Sequence, residues 1–409
     1  MNAESSTKIT FLGDITCDRM LRVASRKKRG EYDFSPVFSQ VGYILDESDY
    51  VIGNFETVCA GDKNDYKDQF MLCNTPDQLI EEISKTGIHC VTTANNHCLD
   101  QGIKGLKRTL EVLDKNGVEH IGTYANLEER KKIFYKNFRD LKVAFLAYTY
   151  DVNSTNIDIR IDAKNDYCVG LLKSQDVIAN CNSKAKKICL LLTTGRQRRF
   201  VRRILARRGL KKGKAFMPIL TDYIRKDDTN NPYLDKIKME IEEARKNADY
   251  VFVCPHYGGQ FNEEPGEYAA FLMKYLKECG ADVVIGNHPH IVQKAIKTKG
   301  FVGAYSIGSF NQSVSADYMV HEPLPEYSVA VHFYFNDNKN VDKVTYSILK
   351  IVEDENKMIT VWPVDKLYKI ISDEEKESLR KDVLRISNRF TNSNSDKIIM
   401  CKEYELLGE

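Results

Sequence analysis

No run of about 18 consecutive apolar residues occurs in this 409-residue sequence, which argues against a membrane-spanning helix. The start, Met1-Asn2-Ala3-Glu4-Ser5-Ser6-Thr7, lacks the charged-then-apolar pattern of a secretory leader. The expectation is a cytoplasmic protein, peripheral at most to the inner face of the membrane. The 11 cysteines are odd in number and none is spaced Cys-x-x-Cys, so neither a zinc ribbon nor a dithiol redox site is indicated. Cys59, Cys90, Cys189 and Cys254 lie in or next to strand-like runs and read as small buried apolar residues. There is no internal repeat, and the net charge is only +2.

A hydrophobic content of 42% over this length suits one large α/β domain with an appendage, or two domains. Strand-like and helical patterns alternate, which implies a layered α/β fold. Thr75-Pro76-Asp77-Gln78 has the form of a helix start, with Thr75 as N-cap and Pro76 at the first position, and Gly87 closes that helix. A second helix is expected over 100–117, with Ile103, Leu106, Leu110 and Leu113 on one face. A strand at 141–148 follows, then helices at 234–247 and 267–279, each preceding a strand. Strand-like alternation over 327–335 and 341–351 is expected to complete a second sheet. The end of the chain reads as a helix over 372–390 and a polar stretch over 391–396, an appendage without recognisable chemistry.

Four of the 8 histidines sit in three short motifs, Ala94-Asn95-Asn96-His97, Pro255-His256-Tyr257-Gly258-Gly259 and Gly286-Asn287-His288-Pro289-His290, each after an apolar β-type run. The runs ending at Asp14 and at Glu56 follow the same rule. Residues at the carboxyl ends of several strands can converge on one crevice although far apart in sequence. Carboxylate, amide and imidazole donors together suit a borderline transition metal rather than Mg or Ca. Pro289 is expected to favour extended backbone at His288, so that the imidazoles of His288 and His290 point to one side and serve neighbouring ions. Each histidine taken alone reads more readily as a hydrogen-bonded structural residue than as a ligand, and Asn95-Asn96 alone more readily as turn chemistry. Five strand ends carrying ligand-type side chains favour the metal.

These motifs, with Gly13-Asp14, Asn54-Phe55-Glu56, Asp100 and Tyr305-Ser306-Ile307-Gly308, resemble the ordered motifs of the CapA, or poly-γ-glutamate capsule-synthesis, family over residues 8–312. The resemblance implies a fold similar to the calcineurin-like metallophosphatases: a four-layer α/β/β/α sandwich spanning 8–335, with a basic insertion at about 184–235 and a C-terminal appendage of strands and helix at 336–409. It implies one or two divalent transition-metal ions (Mn, Zn or Fe). Asp14 and His290 would hold one metal, Asn96, His256 and His288 the other, and Glu56 would bridge them. His97 would resemble the catalytic histidine, with Asp100 fixing its tautomer. Arg19, or else Arg22, would neutralise a phosphate or carboxylate. Asn54, Asn95, Tyr257 and Ser309, in the same motifs, are the candidate substrate-binding positions. Thr16 stands where metallophosphatases usually have a histidine, Gln260 where the family commonly has an acid, and Ser309 where it has asparagine.

Two function classes follow. One is a metal-dependent hydrolase or transferase acting on an anionic polymer or phosphorylated substrate, phosphoester or γ-glutamyl, in capsule, exopolysaccharide or poly-γ-glutamate synthesis. The other is a non-catalytic accessory or docking module of an envelope-polymer complex. Residues 196–214 carry ten basic side chains and no acid, so subtracting them from +2 leaves the remainder at −8 and the basic charge is local. Phe200, Val201, Ile204 and Leu205 recur at helical spacing inside this run. The segment therefore reads as a basic amphipathic helix for an anionic membrane surface or a polyanion, against a plain alternative in which the apolar residues dock on the domain. Specific nucleic-acid binding is not indicated, because no recognised binding fold accompanies it.

Overall fold

Short apolar runs bounded by polar turns form buried strands, and longer stretches with apolar residues three and four apart form the covering helices. The computed structural model describes residues 7–62, 66, 72–178, 180, 181, 183–207, 222–225 and 228–408. The chain begins with β1 (Thr7–Ile15), α1 (Arg19–Ala24), β2 (Arg26–Lys28), β3 (Glu31–Tyr32), α2 (Ser35–Phe38), α3 (Gly42–Leu45) and β4 (Tyr50–Phe55). It continues with α4 (Gln78–Lys85), β5 (Cys90–Thr92), α5 (Gly102–Lys115), β6 (Glu119–Ile121), α6 (Leu127–Arg130), β7 (Phe134–Phe138) and β8 (Leu141–Thr149). Next come α7 (Lys184–Leu192), α8 (Gly195–Arg207), α9 (Pro232–Asn247), β9 (Tyr250–His256), α10 (Glu267–Glu278), β10 (Val283–Ile285), β11 (Ala295–Thr298), β12 (Phe301–Ala304) and β13 (Ser309–Asn311). The last part holds β14 (Tyr327–Phe335), β15 (Val341–Glu353), β16 (Ile359–Pro363), α11 (Val364–Ile370), α12 (Asp373–Thr391) and β17 (Tyr404–Glu405).

Among the described residues, one sheet runs β16-β15-β14-β1-β4-β5-β6, with β13 beside the end of β1 and β17 on β15, and a second runs β11-β12-β10-β9-β8-β7. Their inner faces meet through Phe11, Phe145, Phe252 and Phe333, with ring centroids of contacting pairs 5.3 to 6.4 Å apart. Period-two alternation sorts β8 between two cores. Val143, Phe145 and Ala147 join the core between the sheets, whereas Ala144, Leu146 and Tyr148 pack outward against Leu234, Ile237 and Ile241 of α9 and Leu272, Met273 and Leu276 of α10. On the other side α4 and α5 bury Leu79, Ile80 and Ile83, and Leu106, Leu110 and Leu113. The architecture is the four-layer α/β/β/α sandwich.

Several sequence expectations need correction. The strands β14 and β15 do not complete the second sheet: β14 pairs antiparallel with β1, from Thr7↔Phe335 to Phe11↔Val331, and β15 follows it. The division expected between 335 and 336 thus falls inside a β hairpin, and β17 pairs back onto β15. The helix expected to start at Pro76 behind a Thr75 cap begins two residues later, at Gln78, and the Thr75 hydroxyl is spent on Thr57 Oγ1 at 2.6 Å. Cys189 is exposed on α7, unlike the buried Cys59, Cys90 and Cys254. The C-terminal helix has the capping box that Ser372 and Glu375 announce, and buries Leu379, Val383, Ile386 and Phe390.

The join between β1, β14 and β15 contains a buried polar residue that sets an acid limit on stability. His332 lies between Thr10 Oγ1 at 2.8 Å and Ser347 Oγ at 3.0 Å. Burial, with Lys8 nearby, pushes its imidazole down to about 3. The folded pKa is below the unfolded one, so the unfolded chain takes the proton first. This stability is complete above the ordinary histidine value and drains as pH falls towards about 3, at a limiting slope of about 1.4 kcal/mol per pH unit. Urea midpoints measured between pH 7 and 4 should fall, and His332→Gln should flatten the dependence; an unchanged slope would refute this assignment.

Candidate metal centre

The central strands of both sheets are parallel: β1 with β4, β4 with β5, β8 with β9 and β9 with β10. Five of them deliver polar residues from their carboxyl ends to one place: Asp14 on β1, Glu56 after β4, Asn96 after β5, His256 on β9, and His288 and His290 after β10. Glycines permit the approach of the strands. A Cβ on Gly13 would run into the carbonyl of Gly308, and the Asp14 amide donates to that same carbonyl at 3.1 Å.

Glu56 is at the centre, fully buried, with no hydrogen-bond partner on either carboxylate oxygen among the described residues. Oε1 faces His256 Nε2 at 3.4 Å and His288 Nδ1 at 3.9 Å, and Oε2 faces His290 Nδ1 at 3.7 Å. Two trios therefore share this one residue. The donor atoms of Glu56, His256 and His288 lie within 4.8 Å of one another, as do those of Asp14, Glu56 and His290. Asn96 Oδ1 joins the first group, 2.9 Å from His256 Nε2. Asp14 Oδ2 lies 3.1 Å from His290 Nδ1, and Ser309 Oγ lies 3.0 Å from the same nitrogen.

Burying an unpartnered carboxylate is costly unless a countercharge or a cation answers it. Burial pushes the Glu56 carboxyl up, but the facing imidazoles of His290 and His256 outweigh it and hold the group well below its ordinary range. Burial lowers His290, and Glu56 and Asp14 overcome that and raise it. His288 goes the other way: burial carries it down to about 3, so it is a neutral imidazole with a lone pair. A buried cluster of carboxylates, an amide oxygen and imidazoles is the donor set that a borderline divalent cation takes.

The extended backbone expected at His288 is not found. His288 has φ +101° and His290 φ +61°, both left-handed. The convergence of the two rings comes from this double reversal, held by the His288 amide on Asp14 Oδ2 at 3.3 Å and by the Phe261 amide on the Pro289 carbonyl at 2.8 Å. Thr16, at the position of the missing histidine, is committed elsewhere: its amide donates to Asn311 Oδ1 at 2.9 Å and its hydroxyl to the Asn311 carbonyl at 2.7 Å.

The residues expected to touch substrate are also placed differently. Asn54 is a buried strut, donating to Asp14 Oδ1 at 2.7 Å and accepting from Thr92 at 2.9 Å, with its Nδ2 3.2 Å from His256 Nδ1. Asn95 is buried, donating to the Phe55 carbonyl at 2.7 Å and accepting from the His97 amide at 3.1 Å. Tyr257 packs in the outer core, and Ser309 touches His290. Asn54 and Ser309 thus contact the cluster directly, Asn95 braces the backbone beside it, and Tyr257 lies in the outer core. Arg19 is exposed at the start of α1, which Asp18 caps.

His97 adjoins Asn96 and is partly buried beside the cluster. Its Nδ1 is 2.6 Å from Asp100 Oδ2, which also accepts from the Cys73 amide at 2.6 Å. Cys73 Sγ lies 3.5 Å from the same Nδ1. Thiol and carboxylate address one nitrogen, so this is not a cysteine–histidine–acid relay, which needs the two on opposite nitrogens. Both contacts fall on Nδ1, and neither engages Nε2.

Sequence reasoning missed Cys73, on a segment without periodicity, and Tyr150. Tyr150 Oη is 3.0 Å from His288 Nε2, and burial pushes the phenol up so that it stays protonated. Its signal was available: it directly follows β8, a further parallel strand ending on the same side.

Comparison with known proteins adds three findings. A family model described as bacterial capsule synthesis protein PGA_cap matches residues 8–313. The capsule biosynthesis protein CapA of Bacillus anthracis is 26% identical over 305 residues, 74% of this chain and 59% of the relative, and the PGA biosynthesis protein CapA of Bacillus subtilis (strain 168) is 25% identical over 304 residues, 74% and 62% respectively. The chain thus spans about three fifths of the length of these relatives. Among solved structures, a putative 5'-nucleotidase from Staphylococcus aureus in complex with alpha-ketoglutarate aligns over 93% of this chain and 58% of that one, at 14% identity and a TM-score of 0.45.

Proposed function

The chain belongs to the bacterial capsule synthesis family, and from that premise we propose that it is a metal-dependent hydrolase or transferase acting on an anionic substrate, a phosphoester or a γ-glutamyl polymer, in the making of a capsule or related exopolymer. The observation that carries this reading is Glu56, a buried carboxylate with no hydrogen-bond partner among the described residues and a histidine-bearing trio on each of its oxygens. Asn96, His256, His288 and Glu56 would hold one divalent transition metal, and Asp14, His290 and Glu56 a second. When bound, such ions supply Lewis acidity to a phosphoryl or carbonyl oxygen.

The chain's own groups provide the rest. Asp100 holds the Nδ1 proton of His97, so Nε2 is the atom that gives a proton to a leaving group. Tyr150 fixes the ring of His288: in the tautomer that donates from Nε2 to Tyr150 Oη, the lone pair is on Nδ1, 3.0 Å from His256 Nε2 and 3.9 Å from Glu56 Oε1. Tyr150→Phe is expected to weaken metal affinity by about 10- to 100-fold with little effect on the fold; titration of the metal-depleted protein checks it, and unchanged affinity would exclude the phenol from this role.

The asymmetry between the halves supports a specific order of affinities. Glu56, His256 and His288 with Asn96 give four donor residues, whereas Asp14, Glu56 and His290 give three, because Thr16 is turned to Asn311. The accessory reading rests on this deficit. A phosphodiesterase screen with Mn, run beside a poly-γ-glutamate cleavage assay, tests the catalytic reading. Turnover that depends on added metal supports it; no turnover of either substrate class at full metal loading would favour the accessory role.

A further inference from the structure

The insertion between β8 and α9 presents a surface that the metal centre does not explain. Residues 184–207, which form α7, a short link and α8, contain nine basic residues and no acid. The basic run continues in sequence through Arg208, Lys211, Lys212 and Lys214, which lie outside the described residues.

The way α8 sits on the domain meets only half of the plain expectation that its apolar residues dock: Ile204 and Leu205 are partly buried, and Phe200 and Val201 are not. Arginines hold it down: Arg198 Nε donates to the Thr155 carbonyl at 3.0 Å, Arg199 pairs with Asp158 at 3.2 Å and bonds the Asn156 carbonyl, and the Arg196 amide caps onto Asp158 Oδ1 at 2.6 Å. Gly195 brings the helix start so close to residues 156–158 that a Cβ there would strike their carbonyls. With the side chains of Arg198 and Arg199 facing in, Phe200 and Val201 are 64% and 53% exposed.

The preceding helix repeats the pattern. Ile188, Leu191 and Leu192 of α7, spaced to share one face, are 56%, 61% and 77% exposed, and the helix buries no residue. A nine-residue helix is too short to be stable alone in water. Large apolar side chains beside lysines and arginines, without one acid, match an interfacial helix on a negatively charged bilayer: the apolar groups enter the headgroup boundary and the cations meet the phosphates. A protein groove would also cover the apolar residues, but it would leave the charge of the exposed Lys184, Lys186, Lys187, Arg196 and Arg203 unexplained.

We infer that α7 and α8 form a docking surface for an anionic lipid bilayer, which holds the protein at a membrane surface. No described helix is long and apolar enough to cross one. The inference is independent of the metal centre.

Co-sedimentation of the full chain with vesicles of phosphatidylglycerol and phosphatidylcholine, against phosphatidylcholine alone, tests it. Binding is expected only with the acidic lipid, fading as salt is raised. Two variants separate the contributions: Lys184→Glu/Lys186→Glu/Lys187→Glu should lower partitioning by on the order of 100-fold, and Leu191→Ser/Leu192→Ser/Phe200→Ser by at least about 10-fold. All are exposed or partly exposed positions outside both trios, so metal content should not change. Equal binding to both vesicle types, or undiminished binding by both variants, would overturn the inference. So would a dimer in vesicle-free solution that the leucine and phenylalanine replacements dissociate, since the surface would then be covered by a second copy.

Discussion

Glu56→Gln is expected to remove nearly all bound metal and to lower turnover by about 1,000-fold, the equivalent of ~4 kcal/mol of transition-state stabilisation. Glutamine matches the volume and keeps one acceptor oxygen, but it cannot offer negative charge to both trios. The separation of Oε1 towards His256 and His288 from Oε2 towards His290 makes Glu56 common to the two groups. Losing it should therefore damage both halves, whereas His290→Ala should spare the half built on Asn96, His256 and His288. Elemental analysis of the two variants, with thermal melts to confirm folding, checks this. Equal metal loss in both, or full metal retention in Glu56→Gln, would show that Glu56 does not join the halves.

The second large effect is expected at His97. His97→Ala should lower turnover by on the order of 10²- to 10⁴-fold while leaving metal content intact, because the ring is held by Asp100 and Cys73 and belongs to neither trio around Glu56. The loss should depend on the leaving group. An aryl phosphoester that departs without a proton should be hydrolysed by the variant almost as well as by the native protein, and an alkyl ester should not. Asp100→Asn should weaken the same step less, since it changes the orientation and tautomer of the ring rather than removing it. A uniform loss across leaving groups would assign His97 to binding instead of proton transfer.

The parts of this site that could be read in the sequence are those fixed by a local rule. Asp14, Glu56, Asn96, His256 and His288 each follow an apolar run, and a parallel strand buried on both faces reads as such a run. Its carboxyl end is where a crevice opens. What escaped the reading depends on contacts distant in sequence. Pro289 biases His288 towards extended backbone, but hydrogen bonds from β1 and from residue 261 hold it at positive φ. The alternation in 327–351 announces strands without saying which sheet takes them; that was decided by the open edge of β1. Asn54 and Asn95 carry polar groups that suit a substrate, and the fold spends them on Asp14 and on the Phe55 carbonyl. In α8 the helical period was legible, whereas which face turns inward was not, because Thr155, Asn156 and Asp158 compete for its arginines.

The most direct test of the metal centre is elemental analysis of the native protein beside His256→Ala and His288→Ala, all purified without added metal. The native protein should carry about one to two equivalents of Mn, Zn or Fe, and each variant should lose most of it while remaining folded. A native protein that is metal-free yet fully folded and catalytically active, or variants that keep the native metal content, would contradict the account.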